Sequence, residues 1–166
     1  MSLLGAYKRL RRSYGFGIHS PWAYHIVREV LPDEYAYYDY PAIRRQYGAD
    51  GRMACMLYRL LADAAADTVS VQKNSPWQKL VKMAGRGHRR ISVSVQHDSD
   101  RLDADIVIFT ALDTDDGRAA WQRCLQQLDR RNSGIAIDTC RRLGIINAGA
   151  GMPRQDIEIR TLGNTQ

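Results

Sequence analysis

The chain has 166 residues, 45% of them apolar and 25% charged, which is ordinary for a globular protein and enough for one domain with a real core. Twenty-four basic and 18 acidic side chains give a formal charge of +6, which permits contact with phosphates, nucleic acid or anionic surfaces without requiring it. No stretch approaches membrane-spanning length, and the basic N-terminus lacks the sustained apolar core of a secretory leader, so neither a membrane partner nor a leader is expected.

Residues 3–12 carry a weak helical period with a basic face. Two glycines follow, and then Ser20-Pro21, where a serine cap and a proline in the first helical position predict a helix over 21–31. Pro32-Asp33 ends it. The run Glu34-Tyr-Ala-Tyr-Tyr-Asp-Tyr40 is expected to be a packed aromatic loop, though such a cluster could stack on a base. Pro41 opens a short helix over 42–47, and Gly48-Ala-Asp-Gly51 reads as a break.

Over residues 52–66 Met53, Met56, Leu57, Leu60, Leu61 and Ala64 recur at helical spacing, with the two methionines as core filler. Residues 68–72 alternate as a strand, and Asn74-Ser75-Pro76 caps a helix over 77–84 that Gly85 and Gly87 end. Residues 91–95 form a second alternating strand, followed by the acidic loop 97–100. The apolar run 105–109 predicts a strand buried on both faces. A helix is expected over 118–130, with Asp113, Asp115 and Asp116 in its N-terminal turn, where the helix dipole favours them. Residues 134–138 and 143–147 read as a hairpin, 156–160 as a last strand, and 163–166 as a tail. Strand-helix alternation implies an α/β fold with a mostly parallel sheet, helices on its faces and an antiparallel hairpin at its C-terminal edge.

The most distinctive passage is Gly17-Ile-His-Ser-Pro-Trp-Ala-Tyr24, entered through Lys8, Arg9, Arg11 and Arg12. It resembles the N-terminal cap of a group of bacterial class I S-adenosylmethionine-dependent methyltransferases. The resemblance implies a Rossmann-like sheet, with residues 1–50 as a helical cap and 51–166 as a shortened α/β domain, together one compact unit. It extends to the helix at 53–66, the strand and helix carrying Ala120-Trp121, and the closing strands. In that family the first strand ends in an acidic residue and a glycine-rich turn, because the backbone must come close to the cofactor there. Here those positions hold Gln72 and Asn74, followed by Pro76 and Trp77. Only about ten residues separate the second strand from the third, so one or two β-α units are missing. Asp98 and Asp100 could take the ribose-binding role, although a solvated acidic loop is the simpler reading.

Other chemistry is sparse. His19, His25, His88 and His97 have no ligand spacing, so no metal site is expected, and His19 is expected to fix its turn rather than to catalyse. Cys55, Cys124 and Cys140 are odd in number and lack zinc or redox spacing, which suits free buried thiols and a cytoplasmic location. Gly85-Arg-Gly87 follows a helix and is no phosphate loop. The arginine pairs 11–12, 44–45, 89–90, 130–131 and 141–142 are spread along the chain, favouring a generally basic surface over a dedicated nucleic-acid face.

The expectation is a methyltransferase-like protein that has lost its cofactor and serves as a binding or scaffolding protein, with a second copy or another protein as partner. The alternatives are an active methyltransferase, in which Gln72, Asn74, Asp98 and Asp100 hold S-adenosylmethionine, and a basic nucleic-acid or phosphate-binding module. No catalytic residue is assigned.

Overall fold

The computed structural model describes residues 3–32, 37–64, 66–71, 77–87, 92–94, 102, 104–139, 142–149 and 151–159. Its N-terminal third is helical. Helix α1 (Leu3–Ser13) ends where Ser13 Oγ donates back to the Arg9 carbonyl. Helix α2 (Pro21–His25) starts as the sequence indicates, with Ser20 Oγ accepting from the Ala23 N–H and Pro21 in the first turn. It runs on through one wide π turn, Ile26–Val30, closed by the Leu31 N–H on the Ile26 carbonyl. Helix α3 (Tyr40–Tyr47) leads through a 3-10 turn, Gly48–Asp50, into α4 (Gly51–Asp63).

Among the described residues six strands follow: β1 (Thr68–Val71), β2 (Ser92–Ser94), β3 (Ile106–Phe109), β4 (Ile135–Asp138), β5 (Gly144–Asn147) and β6 (Gln155–Glu158). Helix α5 (Gln78–Gly87) connects β1 to β2, and α6 (Asp115–Arg131) connects β3 to β4. The strands form one mixed sheet in the order β2-β1-β3-β5-β4-β6. All neighbours are parallel except at β5, which runs antiparallel to both β3 and β4.

The expected hairpin is therefore present, but it does not form the edge. Ile145 and Ile146 of β5 face Ile108 and Val107 on one side and Ile137 and Ala136 on the other. The lone reversed strand is wedged into the sheet, and β6 covers the outside of β4. This position suits β5 because all four of its residues are buried, whereas three of the four in β6 are not.

Alternation along the strands divides the core into two layers. Val69, Val71, Ile106, Ile108, Ile135, Ile137, Ile145 and Ile157 share one cluster with α4, α5 and the N-terminal helices. Val107, Phe109, Ala136 and Ile146 share another with Trp121, Cys124 and Leu128 of α6. The molecule is thus a helix-sheet-helix sandwich. Ile26, Val27 and Ile43 of the N-terminal helices belong to the same cluster as β1.

Three further details differ from expectation. Helix α4 ends at Asp63, and Ala64 is extended. Gly85 and Gly87 lie inside the last turn of α5 rather than beyond it. Asp115 and Asp116 do occupy the first turn of α6, capped by Thr114, but Asp113 lies before the cap and pairs with Arg142 at 3.5 Å. Met53 and Met56 pack against the core as expected, and Cys55 and Cys124 are buried and free. Among the described residues no helix is long and apolar enough to cross a membrane.

Candidate functional site

In a sheet of this kind the place for a ligand is the crevice beyond the C-terminal ends of parallel strands, where successive strands depart to opposite sides. Strand β1 has β2 on one side and β3 on the other, so the crevice lies beyond Val71 and Phe109. Gln72 and Asn74 follow β1 directly in sequence, and Asp98 and Asp100 follow β2. All four lie outside the described residues, as do Cys140, His88 and His97.

Described residues that follow the C-terminal ends of β1, β3 and β4 are engaged with partners. Trp77, at the entry to α5, is 2% exposed and stacks on Tyr47, with centroids 5.1 Å apart and ring planes 8° apart. The backbone of Leu80, in the first turn of α5, hydrogen-bonds the Tyr47 phenol, and burial pushes that phenol above its ordinary range. A first-turn N–H of a helix is the group that would otherwise meet a phosphate or carboxylate of a ligand. Further along, Arg142 of the β4-β5 loop donates to Asp50 at 2.8 Å and pairs with Asp113 after β3. This ion pair ties the start of α4 to the end of β3. Thr110 and Leu112, next to it, are buried, and the Leu112 N–H donates to the Arg142 carbonyl.

A surface cleft of about 480 Å³ lies at the opposite end of α4, lined by His25, Arg28, Glu29, Val30, Pro32, Tyr37, Arg59 and Asp63. His25 is held on both ring nitrogens, Nδ1 to Glu29 at 2.8 Å and Nε2 to Asp63 at 2.9 Å. Both partners are carboxylates, so both nitrogens must donate, and the bridge is complete only for the imidazolium. The Asp63 hydrogen bond raises the pKa most, against a smaller opposing effect of burial. An imidazolium committed in this way is a clamp between α2 and α4, not a base.

Arg59 is buried, and among the described residues its guanidinium meets carbonyl and hydroxyl oxygens rather than a carboxylate. Nε donates to the Val30 carbonyl, Nη2 to the Leu31 carbonyl and Nη1 to the Tyr40 hydroxyl, each at 2.9 Å. It therefore satisfies the carbonyls left at the end of the wide turn, where helix geometry favours a cation. Tyr37, Tyr40 and Tyr58 pack together beside it, as expected of a contact-forming aromatic loop, whereas Tyr38 is 98% exposed. The Tyr58 hydroxyl donates to Asp39 at 2.6 Å, and that bond, with burial, pushes its pKa to about 12. A smaller cleft of about 140 Å³ between α6 and β6 contains Asp138, Asp156 and Glu158, but these pair with Arg118, Arg154 and Arg9. No group of three metal-binding side chains occurs among the described residues.

His19 fixes its turn by its main chain. Its N–H donates to Gln155 Oε1 at 3.3 Å, while Gln155 Nε2 donates to the Gly17 carbonyl at 2.9 Å. One glutamine of the last strand thus clamps the distinctive N-terminal motif. Sequence reasoning missed Gln155, Arg59 and the His25 bridge. Each depends on at least one partner more than 25 residues away, and the i,i+4 spacing of His25 and Glu29 is the one local signal among them.

Comparison of the chain with protein-family models, curated proteins and solved structures finds no match in any of the three.

Proposed function

We propose that this chain is a shortened, Rossmann-like, methyltransferase-type domain that no longer holds S-adenosylmethionine and acts by binding a macromolecular partner. The observation that carries this reading is the Trp77–Tyr47 stack at the turn after β1. A cofactor at that turn needs the backbone within reach, which is why glycine serves there. Here the largest side chain in the repertoire stands at the helix entry, and the Tyr47 phenol takes a first-turn backbone group of α5. The Arg142 bridge to Asp50 and Asp113 crosses the same end of the sheet.

The shortening supports the same reading. Strand β3 pairs directly with β1, so no further β-α unit stands between them. The mostly parallel sheet with one reversed strand near its C-terminal end suits the resemblance carried by residues 17–24.

The test is titration of the purified chain with S-adenosylmethionine and S-adenosylhomocysteine, read by calorimetry and by thermal melting. The proposal expects no heat of binding and no shift in melting. Micromolar binding would overturn it in favour of an active enzyme using Gln72, Asn74, Asp98 and Asp100.

A further inference from the structure

The positive charge of this protein has a location. Residues 1–28 contain five basic side chains and no acidic one, so nearly all of the net charge of +6 resides in the first sixth of the chain. The exposed aromatic residues concentrate there too. Of the seven large apolar side chains exposed among the described residues, Tyr7, Leu10, Tyr14, Phe16 and Tyr24 fall in this segment.

Rings and cations alternate on the surface. The Arg11 guanidinium sits 4.8 Å from the centre of the Phe16 ring and 5.9 Å from that of Tyr7. Arg28 sits 5.9 Å from the centre of the Tyr14 ring. Phe16 is 56% exposed and is displayed between Gly15 and Gly17, both at positive φ, 82° and 75°. The Gly15 backbone lies so close to Tyr24 that a Cβ there would come within 2.5 Å of the ring and 3.2 Å of Arg28. The turn therefore joins α1 and α2 into one surface, and Gln155 fixes its far end.

We propose that this face binds single-stranded nucleic acid. Bases stack on exposed rings whatever their identity, and guanidiniums held beside those rings contact the phosphates between the bases. A duplex keeps its bases stacked inside and offers the rings nothing. A lipid surface fits less well, because Arg11 lies between Tyr7 and Phe16 and interrupts what would have to be a continuous apolar stripe. The inference goes beyond the loss of the cofactor and does not depend on it.

The test uses the full chain and a fluorescent oligouridylate of about a dozen nucleotides, a length within the range such sites cover. An oligothymidylate of the same length, the matching duplex, and phosphatidylcholine vesicles with and without phosphatidylserine are run in parallel. Binding to single strands is expected, with log affinity falling against log salt at a slope of about −2 to −3, for three or four phosphates. Phe16→Ala and Tyr7→Ala are each expected to weaken it about tenfold, the scale of one lost stacking contact. Both side chains are exposed, and unchanged melting shows that the fold persists. Arg11→Ala should weaken binding and flatten the slope, while Arg130→Ala, which removes the same charge from the exposed end of α6, should not. No binding at low salt, equal loss from Arg11→Ala and Arg130→Ala, duplex binding as tight as single-strand binding, or binding to anionic vesicles but not to oligonucleotides would each overturn the proposal. A difference between the uridylate and the thymidylate, which differ in both the sugar and the thymine methyl, would leave it standing.

Discussion

Trp77 lies flat against Tyr47, 5.1 Å from ring centre to ring centre, and is almost wholly shielded from solvent. The two residues come from different parts of the chain, one from the end of α3 and one from the entry to α5. Together they join the N-terminal helices to the turn that follows the first strand. Removing the buried indole leaves a cavity beside Tyr47. Trp77→Ala is expected to cost about 3–5 kcal/mol, read from urea unfolding. A loss below about 1 kcal/mol would mean that the turn does not depend on the stack.

Arg59 is the second support of the N-terminal helices. Its three hydrogen bonds go to groups that burial leaves without water, the Val30 and Leu31 carbonyls and the Tyr40 hydroxyl. Arg59→Met keeps much of the apolar stem and leaves these acceptors unmatched. The expected loss is about 3 kcal/mol, and Arg59→Lys, which cannot reach three acceptors with a planar fork, should recover less than half of it. Full rescue by lysine would show that charge at the helix end matters, not the fork.

The His25 bridge makes stability depend on pH in a defined direction. The folded state raises the pKa above the ordinary 6.5. The stabilisation is therefore fully present below pH 6.5 and is lost as pH rises through the raised folded value. The groups facing the ring are Glu29 on its own helix segment and Asp63 on α4. His25 is 43% exposed, so solvent screening keeps the effect small. The melting temperature of wild type should exceed that of His25→Gln by more at about pH 6 than at about pH 8.5. A gap that is constant or widens with pH would contradict the bridge.

Gly117 is constrained by contact rather than by its dihedral angle. A Cβ built there lies 2.0 Å from the Ala111 carbonyl oxygen and 2.7 Å from its carbon. Both are backbone atoms at the end of β3, which cannot turn aside as a side chain could. Gly117→Ala is expected to destabilise by at least about 1–3 kcal/mol, although alanine is the better helix former. A neutral or stabilised variant in a thermal melt would show that the turn between β3 and α6 yields.

Much of this fold can be read from residues alone. The strands at 68–71, 106–109 and 135–138 lie within a residue of where alternation or continuous apolar runs place them, because each face must meet a helix. The Ser20-Pro21 helix start is equally local. The insertion of β5 between β3 and β4 is not local. It depends on which edges are free when the chain returns, and the period of two along 144–147 is the same for an edge or a central strand. Arg59 shows a second limit. Helical spacing gives the apolar positions Met56, Leu57 and Leu60 around it, but an arginine among them reads as solvent-facing until the bare carbonyls of Val30 and Leu31 appear. The crowding of charge and exposed rings into the first 28 residues was open to simple counting, yet the even spacing of arginine pairs hides it, because acids offset the pairs everywhere else.

The central claim is that the crevice beyond β1 is closed to the cofactor. Its most direct measurement is calorimetric titration with S-adenosylmethionine and S-adenosylhomocysteine, checked by melting at high ligand. A ligand at about 100 times its dissociation constant would add roughly 2.7 kcal/mol, an unmistakable shift. The account predicts no heat and no shift with either compound. Saturable binding at micromolar strength would contradict it, and attention would turn to Gln72, Asn74, Asp98 and Asp100 as the residues holding the cofactor.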